Sequence, residues 1–157
     1  MTETALHEFL GYQRSSVLAI VEGLDEQALR TAVLPSGWTP LGLIEHLGHA
    51  ERHWFQEVLT GTAVPVPWAS APPFAIDQPT GPVFAFYREQ CAIADRNIEA
   101  TDLDAKPVGR HEDETLAGQT TDLRRIILHM IEETARHAGH LDAARELIDG
   151  VTGLGPR

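Results

Sequence analysis

The sequence predicts an all-α chain folded as a single four-helix bundle. Four long segments repeat apolar residues at the helical period. Stretches rich in proline and glycine divide them, and no run alternates apolar and polar residues as a half-buried strand does. The 157 residues suit one domain that buries its own core. That domain is expected to span residues 1–150, with 151–157 as a frayed tail.

The first helix is expected from about Glu3 to Val21, ending near Gly23, with Leu6, Phe9, Leu10, Val17 and Ile20 as its apolar stripe. The second opens at PSGWTP, residues 35–40. Thr39 suits the N-cap, and Pro40 falls at the first helical position, where its missing N–H costs nothing. Leu43, Ile44, Leu47, Ala50, Trp54 and Val58 form one stripe, and Gly61 stops the helix. Residues 62–82 carry six prolines and cannot form a regular helix. The first reading of this segment is a surface connection; the second is a lid pinned by Trp68 and Phe74, because connections of this length usually serve a purpose. A third helix is predicted from about Pro82 to Ala100, with Thr80 as a candidate cap and Phe84, Phe86, Tyr87, Cys91, Ile93 and Ile98 along it. Residues 101–120 read as irregular. The fourth helix is the longest, from about Asp122, its cap, to Asp149, with Gly150 at its C-terminal stop.

Composition excludes several functions. Twelve basic residues against 23 acidic ones give a net charge of −11, which repels phosphate backbones, and no basic run offsets it. No apolar run approaches a membrane span, and the N-terminal residues show neither the basic nor the apolar region of a secretory signal. Cytoplasmic location, with no nucleic-acid or membrane partner, is the expectation. The single cysteine, Cys91, rules out an intramolecular disulfide and a cysteine-based zinc knuckle. It lies among apolar neighbours with no histidine base beside it, so it reads as core and not as a nucleophile.

Of eight histidines, six fall in two short stretches. On the second helix, at about 100° per residue, His46 lies nearest the edge of the apolar stripe, His53 further out, and His49 furthest into solvent. On the fourth helix His129, Glu133, His137 and His140 share one arc, with His137 closest to the apolar face. Glu133 and His137 stand four residues apart, so their heads can converge on one ion. Two ligands from one helical turn and a third from a facing helix is how bundles build metal sites. The spacing therefore selects His46, Glu133 and His137. Imidazole nitrogen and carboxylate oxygen suit a borderline divalent ion, Zn²⁺ first, with Ni²⁺ or Fe²⁺ as alternatives. Three protein ligands would leave positions open for water or substrate. Glu51 falls inside an apolar sector, where an unpaired carboxylate is costly. A partner such as an arginine, an amide or an indole N–H is the favoured account, and acid/base work the other. His7 and His111 belong to no cluster and are expected in solvent.

The stretches WTPLGLIEHLGHAERHWF, residues 38–55, and HMIEETARHAGHLD, residues 129–142, resemble the second and last helices of the DinB/YfiT-like metal-binding four-helix bundles. The chain is most similar to the actinobacterial branch that includes mycothiol-dependent thiol transferases. The resemblance implies the same three metal ligands, His46, Glu133 and His137. Glu133 stands where many members have histidine, as in the His/Glu/His set of mycothiol-dependent maleylpyruvate isomerases. His140 replaces a frequent glutamine. The implied activity is a metal-dependent thiol S-transferase that activates a low-molecular-weight thiol, mycothiol first, for attack on an electrophilic small molecule. His140 or His49 would move the proton. The rival expectations are metal-dependent hydrolysis by activated water and a non-enzymatic metal-binding stress protein. The apolar edges of the long helices are compatible with a homodimer.

Overall fold

Two of the long helices begin where the sequence supplies a capping side chain, Thr39 and Asp122. The computed structural model describes residues 3–63 and 76–153, and among these it contains helices and no strands. Helix α1 runs Glu3–Val21 and a short α2 Glu26–Leu29. Helix α3 runs Pro40–Arg52 and continues without a break into a π-helical stretch, His53–Val58. Helix α4 is Thr80–Glu99, a short α5 Glu114–Gln119, and α6 Leu123–Asp149. The Thr39 hydroxyl accepts from the Gly42 amide at 3.1 Å, and the Asp122 carboxylate from the Arg125 amide at 2.9 Å. Gly150, at φ 78°, closes α6 in the left-handed conformation that glycine adopts without strain.

Several expectations need correction. Two short helices, α2 and α5, stand where the apolar periodicity predicts none; each is held by an aspartate cap, Asp25 and Asp113, whose signal spans only three residues. Helix α4 starts at Thr80, so Thr80 is helical and Pro79 precedes it as the cap. The Thr80 hydroxyl instead bonds the Glu26 carboxylate. Phe9 is 52% exposed and does not belong to the core stripe of α1; the buried position in the gap between Leu10 and Val17 is Arg14. The expected roles of Trp68 and Phe74, and the end of the tail from residue 154, lie outside the described residues.

The contacts fix the helix directions. Gly48 lies against Phe86 and Tyr87, and Gln56 bonds Gln90 at 2.7 Å, so α3 and α4 run parallel. Arg145 near the end of α6 donates to the carbonyls of Ile20 and Glu22 at the end of α1, at 2.8 and 2.7 Å, so α1 and α6 are parallel too. Across the bundle, Trp38 meets His140, and Trp54 meets His129, so α3 and α6 are antiparallel. This is the up-down-down-up arrangement, which requires a long crossover between its parallel second and third helices. The α3 helix with its π stretch is roughly 30 Å long at about 1.5 Å per residue, and the chain after Gly61 must cover that length again to begin α4. Arg30 holds the residues just before α4, donating to the carbonyls of Ile76 and Gln78 at 3.2 and 2.7 Å.

The core falls into two apolar clusters. One holds Val17, Ile20, Leu41, Leu43, Ile44, Leu47, Tyr87 and Leu141; the other holds Leu6, Leu10, Phe55, Val58, Ile98, Leu123, Ile126 and Ile127. A buried ion pair belongs to neither. Arg14 grips Glu51 with two bonds, at 2.7 and 2.6 Å, and reaches Asp95 at 2.6 Å. Asp95 also takes a 2.8 Å bond from His7. The partner that Glu51 requires is therefore an arginine on a facing helix, and His7 is held in this network and not in solvent.

Candidate metal centre

The site is assembled by the antiparallel pair α3 and α6. His46 projects from α3, and Glu133 and His137 lie one turn apart on α6. Ligand-type atoms of the three residues all lie within 4.8 Å of one another. A single carboxylate oxygen, Oε1 of Glu133, is 3.2 Å from Nε2 of His46 and 2.9 Å from Nε2 of His137. The two imidazoles meet edge to face at 4.9 Å between centroids. Hydrogen bonds from His137 and then His46 hold the Glu133 carboxyl well below its ordinary value, against the opposing effect of burial. Glu133 is thus an anion facing two ring nitrogens, and the three could hold a metal ion. His137 is buried, while His46 and Glu133 are half-buried. The chemistry of the donor set fits a borderline divalent cation, and three donors on a partly exposed site would leave room for a further ligand.

The other expected site residues lie at different distances from this centre. His140 is next to it: its Nδ1 is 3.2 Å from Nδ1 of His137, and its ring packs at a tilt against Trp38. His49 faces α4 instead. Its ring lies 4.8 Å from that of Phe86, its Nδ1 takes a 3.0 Å bond from Arg52, and it lines a small cleft of about 350 Å³ with Glu45, Gln78 and Pro82. Burial, then the charges of Arg52 and His46, push its pKa down to about 4. The expectation that His49 points furthest into solvent fails because α3 has two neighbours, and α4 covers the side that a wheel centred on one stripe leaves open.

A second group of imidazoles was missed. His111 stacks on Trp54 with ring planes 13° apart, His129 packs on the same indole at 4.5 Å, and His53 stands edge-on to His111 at 5.0 Å. His53 also bonds Glu57 at 2.6 Å. His53 is only 5% exposed, though the helical wheel put it well off the apolar stripe. The π-helical turns widen the helix from His53 onward, so His53, Trp54 and Phe55 are all buried in succession. No sequence signal brought His111 here. Its segment docks through backbone bonds from Val108 to Leu59 and from Gly109 to Val58, at 3.1 and 2.8 Å.

Cys91 is half-buried against the first core cluster. Burial, followed by the nearby Glu51 carboxylate, pushes its thiol up to about 12. It stays protonated near neutral pH and supplies no thiolate.

A family model described as Mycothiol-S-transferase matches residues 5–150. No curated protein and no solved structure matches the chain.

Proposed function

The chain belongs to the Mycothiol-S-transferase family, and from that premise we propose that it is a divalent-metal-dependent thiol S-transferase. In this reading it joins a low-molecular-weight thiol, mycothiol first, to an electrophilic small molecule such as an epoxide, an alkyl halide or an activated alkene. The observation that carries the proposal is the convergence of His46, Glu133 and His137 across α3 and α6. These three residues are the proposed ligands, for Zn²⁺ first and Ni²⁺ or Fe²⁺ as alternatives. A divalent ion held by these residues would supply the positive charge that favours the thiolate form of a bound thiol near neutral pH.

The protein's own groups divide the remaining work. The bidentate grip of Arg14 on Glu51 holds α1 against α3 and so steadies the helix that carries His46. Cys91, with its thiol pushed up to about 12, does not compete as the nucleophile, so the reacting sulfur enters with a cosubstrate. For the proton that the thiol gives up, His140 is the better placed of the two candidate carriers. It touches His137 and is partly exposed, whereas His49 is packed on Phe86 and Arg52. Cytoplasmic location and a homodimer belong to the same proposal. No helix among the described residues is long and apolar enough to cross a membrane. Phe9 and Tyr12 form an exposed edge-to-face pair on α1 that a second copy would cover.

The test starts with elemental analysis of protein purified without a metal-chelating tag, for wild type and His137→Ala. The expected result is about one divalent ion per wild-type chain, as a three-ligand site holds, and its loss in the variant. Thiol-conjugate formation should then need both metal and thiol. Turnover without any thiol would favour hydrolysis. No metal uptake by the wild type, even after reconstitution with Zn²⁺, Ni²⁺ or Fe²⁺, would refute the proposal.

A further inference from the structure

We infer that His140 is a positioning residue for the site: a hydrogen bond between its Nδ1 and Nδ1 of His137 holds the His137 ring with Nε2 directed at the ligand cluster, whichever nitrogen of His137 carries the proton. The inference rests on the proposed metal role of the triad. His137 is pinned at both edges of its ring. Nε2 lies 2.9 Å from Glu133 Oε1, and Nδ1 lies 3.2 Å from Nδ1 of His140. A carboxylate only accepts hydrogen bonds, so in the metal-free protein Nε2 of His137 donates to Glu133. In the neutral ring Nδ1 then accepts, and His140 donates its Nδ1–H.

With Nε2 of His137 serving as a ligand, these roles would reverse. Nε2 can act as a ligand only after losing its proton, and the neutral ring then carries its proton on Nδ1. His140 must therefore change from donor to acceptor, which an imidazole does by holding its proton on the other nitrogen. A primary amide does the same by turning over. An aliphatic side chain can do neither. An outer partner that can both donate and accept holds the ring orientation of a ligating histidine through this exchange.

The surroundings of His140 serve this role. It follows His137 by three residues on α6, which brings both rings to the same face of the helix. Its other neighbour is Trp38, which is buried, with ring centroids 5.8 Å apart and planes tilted by 48°. Trp38 directly precedes Thr39, the cap of α3. The turn that starts the helix bearing His46 thus also backs the ring that orients His137, and the two metal-facing histidines are set by one structural unit.

The test compares His140→Gln and His140→Leu with wild type, after circular dichroism and thermal unfolding establish that each is folded. Zn²⁺ affinity is read by competition with a chromophoric chelator, and ligand geometry by the visible spectrum of the Co²⁺ form. The glutamine variant is expected to stay near wild-type affinity, and the leucine variant to weaken by about 10–100-fold with an altered Co²⁺ spectrum. A residue serving only as proton carrier would show the opposite split: turnover lost in the glutamine variant, and Zn²⁺ affinity unchanged in both. Equal Zn²⁺ affinity in leucine variant and wild type overturns the inference. A second measurement needs neither a variant nor a metal. Long-range ¹H–¹⁵N spectra of the metal-free wild type should show His137 protonated on Nε2 and His140 on Nδ1. Any other pair of tautomers overturns the hydrogen-bond assignment. If the wild type binds no metal while these tautomers are found, the metal reading fails and the hydrogen bond stands.

Discussion

Arg14 and Glu51 form a buried charge pair between α1 and α3. Each is buried, and each has the other as its charge partner. Burial pushes the Glu51 carboxyl up and Arg14 works against this; burial likewise opposes the charge on Arg14, but Glu51 holds the guanidinium above its ordinary value. Removing Arg14 leaves the Glu51 charge stranded in the core. Arg14→Met is therefore expected to lower stability by about 3–5 kcal/mol, the usual cost of breaking a buried pair. The double variant Arg14→Met with Glu51→Leu should recover most of that loss in urea unfolding. A single variant as stable as wild type would show that the pair is not desolvated as the structure places it. Cys91 presents the opposite case. Cys91→Ser is expected to leave any thiol-transfer rate unchanged, and the native thiol should react with iodoacetamide far more slowly than the unfolded chain. Loss of turnover in that variant, at unchanged stability, would return Cys91 to the reaction.

At the scale of elements, the segment between α4 and α6 matters more than its irregular appearance suggests. It lies on the C-terminal end of the α3 helix and its π stretch, and places His111 on Trp54. Gly109 makes this possible. A Cβ there would stand 2.3 Å from the Glu57 carbonyl oxygen, a clash with backbone that cannot be relieved by rotating a side chain. Gly109→Ala should undock the segment at a cost of about 1–3 kcal/mol, the range for overpacking a close contact. The measurement is tryptophan emission, which should shift to the red as Trp54 is uncovered, together with a lower melting temperature. An unchanged spectrum and melting point would mean that the segment tolerates a side chain at this contact.

Across the whole molecule, the histidines make the fold acid-sensitive. His49 is lowered to about 4, and His111 and His129 are lowered as well, with burial the largest cause for each. An unfolded histidine titrates near 6.5. Between that value and the lower folded values the unfolded chain binds more protons, so the stabilisation is complete above about 6.5 and is lost as pH falls below it. Asp95 and Glu133, also lowered, carry the loss to more acid pH. Glu45 and Glu51, which burial pushes up, act in the opposite sense above the ordinary carboxylate range. The metal-free protein is expected to melt at steadily lower temperature as pH falls from about 7 to about 5. A flat profile over that window would contradict the burial of these rings.

The sequence by itself determined the four long helices, most of their caps and the three residues that could hold a metal. Apolar period and N-cap chemistry act within a few residues, and Glu133 and His137 are joined by a single helical turn. Thr39, Asp122 and Gly150 sit at the ends where local chemistry predicts them. Only the tertiary structure decided which side chain answers Glu51, that α3 and α4 run parallel, and that His49 turns to Phe86 while His111 covers Trp54. The physical reason is range. Helix formation is settled by neighbours three or four residues apart, whereas Arg14 meets Glu51 across 37 residues of chain and His46 meets Glu133 across 87. Such pairings follow from how helices share faces and where a π turn shifts the register, and neither is visible in a wheel drawn for one helix alone.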